Sequence, residues 1–261
     1  WTHNDSGNDP LIYALDNATG NIIKTVAIKN ASNIDWEDMA QDEKYIYIGD
    51  FGNNANGNRT NLKIYKIKKK DIKAKDSVNA EIINFAYADQ IDFTPKGSNN
   101  TNFDCEAMIT FGDSIFLFSK NWVDNKTRLY KLPKTPGTYS AENMADLDVQ
   151  GLITGADIVA EQKIIILTGY SSSITPFIYL LYDFSGNDFF VANKRKISIN
   201  QSFTQVEGVC ALSATKYYIS NEKFQQLFIN TPAKMQSLNL SSFLNPYLSN
   251  LDAGKKRKAF Y

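Results

Sequence analysis

Four acidic residues stand at matching places in short segments that resemble one another. In each segment the acid is followed by a variable residue, then Met or Val, then a small or apolar residue. The segments are "WEDMA", "CEAMI", "ADIVA" and "VEGVC", and their acids are Glu37, Glu106, Asp157 and Glu207. Carboxylates that converge on one place raise each other's pKa or require a cation. The four acids are therefore candidates for structural, metal-binding or catalytic roles.

Three interpretations of these acids stay open. In the structural one, each carboxylate accepts backbone N–H bonds from a neighbouring sheet. In the second, a hard cation such as Ca²⁺ is held by carboxylate and amide oxygens, and the predicted ligands are Asp5, Asp50 and Glu37. Asp5 and Asp50 lie in the similar loops "NDSGND" and "GDFGNN", although Asp, Asn and Gly are also ordinary turn residues.

The third interpretation is catalysis by an acid and a base or nucleophile, as in glycoside cleavage. Glu106 and Glu207 are the candidate carboxylates, and the single histidine, His3, is a candidate general base oriented by Asp5. A hydrogen-bonded structural histidine is the simpler alternative. The sequence has no HExxH, P-loop, GxGxxG or nucleophile-elbow motif.

The elements that carry these acids repeat about every 50 residues. Each acidic segment is followed by a second apolar strand, a third strand with an aromatic residue and, in places, a fourth. The second strands are "YIYIGD", "IFLFSKN", "IIILTGY" and "YYISNE"; the third are "LKIYKI", "TRLYKL", "FIYLLYDF" and "QQLFIN"; the clearest fourth strands are "EIINFAYA" and "KRKISI". The repeat predicts an all-β fold, a β-propeller of four-stranded antiparallel blades, five in number with six as the alternative.

The N-terminus supplies a shortened copy of the repeat. "WTHND", "LIYALD" and "NIIKTVAI" match second, third and fourth strands, so the first blade lacks an innermost strand before Trp1. We therefore expect a single propeller domain over residues 1–261. Either residues preceding Trp1 or the C-terminal segment "SSFLNPYLSNLDAGKKRKAFY" would close it, because open strand edges invite aggregation.

Composition excludes several classes of partner. Lys plus Arg and Asp plus Glu both number 28, so no net field favours nucleic acid. The basic run Lys255 to Lys258 is interpreted as a solvated tail. No stretch approaches the roughly 20 apolar residues of a transmembrane helix.

Cys105 and Cys210 are expected to be buried and not disulfide-bonded. Four aromatic residues at predicted blade ends suit sugar or peptide recognition, with packing between blades as the favoured alternative: Trp36, Trp122, Tyr170 and Phe224.

The residues also resemble known families. "WTHNDSGN", "DWEDMA" and "YIGDFGNN" resemble a group of secreted or surface propeller proteins of Bacteroidetes, over about Trp1 to Lys134. "VEGVCALSATKYYISNE" is more distantly similar to the strand pair of phytase-like and SdiA-regulated propellers. The first resemblance implies an extracytoplasmic location, and the second implies calcium and phosphate-ester chemistry.

The sequence therefore predicts a monomeric extracytoplasmic propeller that binds a small molecule, glycan or protein at the mouth of its channel. The predicted binding residues are His3, Asp5, Asp50, Glu106, Asp157 and Glu207. The alternative is a calcium-dependent hydrolase of phosphate esters or glycosides that uses the channel carboxylates.

Overall fold

The computed structural model describes residues 1–201, 203–226 and 229–258, and the chain in these ranges is an all-β protein. It divides into two compact units, Trp1–Gly155 and Ala156–Tyr261, which are described separately. Short antiparallel strands follow one another as the sequence predicts. No helix within the described ranges is long and apolar enough to cross a membrane.

Unit 1 begins with a four-stranded sheet in the order β1-β2-β3-β7. Its strands are β1 (Thr2–His3), β2 (Leu11–Leu15), β3 (Ile22–Ile28) and β7 (Ser77–Val78). The first three pair antiparallel, as predicted for the shortened N-terminal copy, whereas β7 joins β3 in parallel. A short helix, α1 (Lys69–Ala74), precedes β7.

The second sheet of unit 1 has eight strands and contains two predicted four-stranded repeats. The strands are β4 (Trp36–Gln41), β5 (Tyr45–Asp50), β6 (Lys63–Lys68), β8 (Glu81–Tyr87), β9 (Asp104–Phe111), β10 (Ser114–Lys120), β11 (Lys126–Pro133) and β12 (Gly137–Asp148). Their order is β4-β5-β6-β8-β12-β11-β10-β9. β12 is long enough to pair antiparallel with β11 and parallel with β8. The two repeats therefore share one hydrogen-bonded sheet, which satisfies backbone groups that separate edges would leave open.

Strand β5 shows why apolar runs occur without alternation. Ile46 and Ile48 pack into a core with Ile12 of the first sheet, while Tyr47, on the opposite face of β5, packs into a second core with Met108. Successive strand residues point to opposite faces, so a strand buried on both sides is apolar throughout.

The sheets of unit 2 are formed by β13 and the strands that follow it in the chain. β13 itself spans the boundary between the two units, at Gly155 and Ala156. The strands are β13 (Leu152–Val159), β14 (Ile164–Tyr170), β15 (Pro176–Tyr182), β16 (Asn193–Ser198), β17 (Val206–Ala211), β18 (Lys216–Asn221), β19 (Phe224–Gln226), β20 (Ile229–Thr231) and β21 (Lys234–Asn239). The sheet orders are β13-β14-β15-β16, β17-β18-β21 and β19-β20. The chain ends in helix α2 (Ser241–Lys258).

The C-terminal segment forms α2, in which Leu244 and Tyr247 pack on the core of unit 2. Two features of unit 2 differ from the predictions. "QQLFIN" is not the third strand of its sheet: within the described residues β19 and β20 pair with each other, and β21 lies beside β18. Cys210 is exposed, whereas Cys105 is buried as expected, and both are free thiols. The side chains of Lys255 to Lys258 lie outside the described part.

Candidate functional site

β-Bulges place the predicted glutamates near the start of the first strand in three of the repeats. The register shifts by one residue between Trp36 and Met39 of β4, between Cys105 and Ala107 opposite β10, and between Val206 and Gly208 of β17. Glu37, Glu106 and Glu207 lie within these shifts. A bulge inserts an extra residue and re-aims its side chain, and it is common beside functional sites.

The residue after Glu37 has a structural role. Asp38 Oδ2 accepts a 2.7 Å hydrogen bond from the backbone N–H of Met108 on β9, and its Oδ1 accepts one from Met39. In unit 2, Asp157 binds Ala211 and Ile158 in the same way, at 2.7 Å each. Asp157 therefore corresponds to Asp38 rather than to Glu37, and its two oxygens bind backbone amides. This arrangement supports the structural interpretation for Asp157, whose pKa is raised by burial.

Asp5, Asp35 and Glu37 form a group that we call the acidic trio. One carboxylate oxygen from each residue lies within 4.8 Å of the others. Glu37 and Asp35 pack against the backbone of Gly52, where an added Cβ would lie 2.1 Å from Glu37 Oε1 and 2.4 Å from Asp35 Oδ2. The two carboxylates thus occupy space that only glycine leaves open.

A second pair of acids adjoins the trio from β9. Glu106 Oε1 lies 2.5 Å from Lys120 Nζ, and both side chains are almost fully buried. Asp104 accepts hydrogen bonds from the Trp122 indole at 2.7 Å and from the Asn53 backbone at 2.6 Å. Lys120 Nζ also lies 4.6 Å from the centroid of the Trp122 ring. Lys120 is therefore a buried counter-charge of both β9 acids.

Asp50 is placed differently from the prediction that groups it with Asp5 and Glu37. Its side chain is fully buried and its Oδ1 binds Arg59 at 2.7 Å and the Asp35 backbone N–H at 3.1 Å. Its Oδ2 is buried and has no hydrogen-bond partner within the described ranges. Asp50 thus orients the loop that carries Asp35 and is not a member of the trio.

The electrostatics of the site favour protons or a cation. Burial raises the pKa of Glu37 well above its usual range, with further increases from Glu106, Asp104 and Asp35. Burial, together with the charge of Asp104, raises the pKa of Asp35 to about 6 although Arg59 opposes the shift. Among the described residues, six carboxylates lie around two cationic side chains here: Asp5, Asp35, Glu37, Asp50, Asp104 and Glu106 around Arg59 and Lys120. Such an excess of negative charge is costly unless some groups stay protonated or bind positive charge.

This electrostatic arrangement predicts a pH dependence of stability. The folded pKa of Asp35 is about 6 and its ordinary value is 3.8, so the folded state holds the proton more tightly between these values. The free energy of unfolding should therefore fall as pH rises from about 4 to about 6, by roughly 1 kcal/mol after allowance for partial solvent exposure. Urea unfolding at several pH values measures this slope, and Asp35→Asn should flatten it. An unchanged slope in that variant would contradict the assignment.

His3 lies close to the site but is not oriented by Asp5. Its Nδ1 donates to the Asn4 carbonyl at 3.0 Å, and its ring meets the edge of Trp36 at 5.8 Å between centroids. Burial lowers the pKa of His3, so the neutral ring is favoured. Asp5 Oδ1 instead accepts the backbone N–H of Ser6. The contacts match the simpler prediction of a hydrogen-bonded structural histidine.

The remaining predicted residues divide between the two units. Glu207 is half-buried on β17 in unit 2, whereas Glu106 belongs to unit 1, and each is described within its own unit. Trp36 is 1% exposed and packs in the core, as favoured from the sequence, and Tyr170 is also buried. Trp122 is half-buried at the carboxylates. The side chain of Phe224 lies outside the described part.

Sequence reasoning missed Asp104, Lys120, Arg59 and Gly52. The sequence did contain a signal for Asp104. The motif Asp-x-Glu occurs at the start of β4 and of β9, as "DWE" from Asp35 and as "DCE" from Asp104. Lys120 also ends the otherwise apolar strand "SIFLFSK", and a lysine that ends so apolar a strand needs a partner. No comparable local signal marks Arg59, which reaches Asp50 from a loop.

No protein-family model and no curated protein matches the chain. Among solved structures, the chain is similar to an exo-β-1,3-galactanase from Phanerochaete chrysosporium with β-1,3-galactotriose. The TM-score is 0.51 with 12% identity, over 88% of this chain and 50% of that one. It also matches the Cps50 (Swd1) β-propeller domain of Myceliophteria thermophila, with a TM-score of 0.40 and 9% identity, over 88% and 80% of the chains. The chain thus spans half the length of the galactanase, and at this identity the likeness concerns the fold alone.

Proposed function

We propose that the protein is a binding protein whose principal site is the acidic trio, and that the trio holds a divalent cation, Ca²⁺ in the simplest case. The observation that carries this proposal is the convergence of the Asp5, Asp35 and Glu37 oxygens within 4.8 Å in a partly buried setting. A hard cation takes oxygen ligands and needs several carboxylates close together. A bound cation would leave coordination positions for a polar ligand or a partner.

The neighbouring residues fit such a cation. Gly52 keeps the trio open, since any side chain there would collide with two of the three carboxylates. Asp50 and Arg59 fix the Asp35 backbone, while Lys120 pairs with Glu106 on β9. A cation of charge +2 would offset the repulsion that raises the pKa of Glu37 and Asp35.

Calcium-dependent stability tests this proposal. Excess Ca²⁺ added after EDTA treatment should raise the melting temperature by roughly 5–10 °C at a hundredfold excess over Kd. Asp35→Asn and Glu37→Gln should remove most of this shift, since each deletes one charged ligand. Asp113→Asn, at an exposed turn of unit 1, is the control and should keep it. No shift, together with no metal in elemental analysis, would contradict the proposal.

A hydrolase is the second candidate, because the site also contains an acid with a raised pKa beside an ion-paired carboxylate. Glu37 would act as general acid and Glu106, paired with Lys120, as base or nucleophile. The fold likeness to the galactanase guides the choice of substrates. We expect turnover of a β-1,3-galacto-oligosaccharide or an aryl phosphate to fall at least 100-fold in Glu37→Gln and Glu106→Gln. No turnover in wild type, or wild-type turnover in both variants, would exclude this function.

The wider architecture is part of the same proposal. Inner strands at β4, β9, β13 and β17, together with the shortened copy at β1, support five propeller blades. The resemblance to secreted propellers supports an extracytoplasmic location and a monomer that binds a small-molecule, glycan or protein ligand.

A further inference from the structure

A polar pocket in unit 2 is lined by none of the residues of the proposed cation site. Its volume is about 330 Å³, and it opens beside the end of β18 and the β19–β20 hairpin. Amide and hydroxyl side chains dominate the wall, chiefly Gln201, Asn221, Asn230, Thr231 and Gln236. Lys234 adds one amine, and none of the described lining residues is acidic.

Asn221 at the wall of this pocket is the strongest sign of a ligand. It is 5% exposed, and its Nδ2 donates to the carbonyls of Glu222 at 2.8 Å and Pro232 at 3.0 Å. Its Oδ1 is buried without a hydrogen-bond partner in the part of the chain that the structure describes. Buried acceptors are normally satisfied, so an unpaired one beside a cavity indicates a donor that the described residues do not supply.

The same feature occurs at the matching place in unit 1. Asn221 pairs with Val206 immediately before the bulge of β17, as Asp50 pairs with Trp36 immediately before the bulge of β4. Asp50 Oδ2 is also a buried acceptor without a described partner. Asp50 and Asn221 thus end equivalent strands, and each has a buried acceptor without a partner among the described residues, a carboxylate in one unit and a neutral amide in the other.

The other wall residues are arranged to bind hydroxyl groups. Gln201 and Gln236 bind each other reciprocally, Nε2 to Oε1, at 2.7 and 3.2 Å. This pairing uses one N–H of each amide, and each amide carries two. The pair is thus oriented by its own contacts and keeps donors for a ligand.

An exposed aromatic residue lies on the loop that borders the pocket. Phe203 is 43% exposed, and its carbonyl accepts a 3.0 Å bond from Thr231 Oγ1 in the pocket wall. Its φ is 58°, a left-handed conformation that side-chain-bearing residues adopt rarely and that clusters at ligand-binding sites. Aromatic faces stack on the apolar faces of sugars while amides fix their hydroxyls.

From these features we infer that unit 2 binds a neutral carbohydrate in this pocket, through Asn221, the Gln201–Gln236 pair and the Phe203 ring. The volume is at the small end of ligand sites and fits a mono- or disaccharide unit. Amides and hydroxyls without an acid match a neutral polyol, which offers both donors and acceptors to each amide.

The test is calorimetry of the full chain against a panel of neutral mono- and disaccharides. We expect saturable binding with a Kd of about 1 mM or tighter, weakened at least tenfold in Asn221→Ala, Gln236→Leu and Phe203→Ala. Asn193→Ala, at an exposed position of β16, is the control and should bind like wild type. Gln236→Leu is included because Asn221→Ala removes two bonds to the backbone and can unfold the pocket.

Further measurements distinguish sugar binding in unit 2 from cation binding at the acidic trio. Glu37→Gln should leave sugar binding unchanged, so failure of the calcium proposal would not affect it. No saturable sugar binding, or wild-type affinity in Gln236→Leu, would overturn the inference. Binding of inorganic phosphate alone, lost in Lys234→Ala and weakened by salt, would overturn it as well.

Discussion

Gly52→Ala is expected to weaken Ca²⁺ binding at least tenfold while the protein stays folded. The new Cβ would lie 2.1 Å from Glu37 Oε1 and 2.4 Å from Asp35 Oδ2, so both carboxylates must move away. Both are ends of side chains that can rotate, and we therefore expect a stability cost of only about 1 kcal/mol. Calorimetric titration of the metal-free protein with Ca²⁺ measures the affinity, and urea unfolding measures the stability.

Gly208→Ala is the control for this substitution. Gly208 lies on β17 in unit 2, where the added Cβ would meet only Ser220, with Oγ at 2.4 Å. The clash is similar in kind, but no trio residue is involved, so Ca²⁺ affinity should equal that of wild type. If Gly52→Ala keeps wild-type affinity, the trio is not the cation site. If both variants lose affinity equally, the effect is general rather than local.

Lys120→Met is expected to lower the free energy of unfolding by about 3–5 kcal/mol at pH 7.5. The Lys120 side chain is 3% exposed and that of Glu106 is 7% exposed, so the substitution leaves a buried carboxylate without its cation. Asp104 and Glu37 also lose the charge of Lys120, which holds their pKa values down. Without it these acids should take up protons more readily, and the loss of stability should be smaller at pH 5 than at pH 7.5.

Lys66→Met is a matched control for Lys120→Met. Lys66 also has an acidic partner, Glu81 at 3.2 Å, and an aromatic neighbour, with its Nζ 4.2 Å from the centroid of Tyr45. Glu81 is 41% exposed, so solvent screens the pair and the expected loss is at most about 1 kcal/mol. Lys120→Met combined with Glu106→Gln should recover at least half of the single-variant loss. Equal, small losses from both lysines would show that Lys120 does not neutralise the buried acids.

The repeat of strands could be predicted because it depends on local chemistry. The run "YIYIGD" became β5 and "EIINFAYA" became β8, since β-branched and aromatic residues suit strands that pack on both faces. Glu37 and Glu106 could be identified because their motif recurs at the first strand of successive repeats. Local pattern failed in unit 2, where "QQLFIN" was predicted as the third strand, although β21 (Lys234–Asn239) is the strand that pairs with β18.

The partners of the acids could not be predicted, because they come from distant parts of the chain. Asn53 reaches Asp104 across 51 residues, and Asp38 reaches Met108 across 70. Nothing in the strand pattern distinguishes an aspartate that binds a backbone amide from one that joins a cluster. Asp157 illustrates this limit, because its sequence motif matches that of Glu37, whereas its hydrogen bonds match those of Asp38.

The sequence by itself therefore determined an all-β chain of repeated antiparallel strands, with an acid near the first strand of successive repeats. Tertiary structure alone decided which acids meet, that Lys120 and Arg59 are their counter-charges, and that Gly52 keeps space between them. The physical reason is the separation along the chain between the residues that interact. Strand formation follows from local runs of β-branched and aromatic side chains, whereas burial and charge repulsion at a site depend on atoms that only folding brings within a few ångströms.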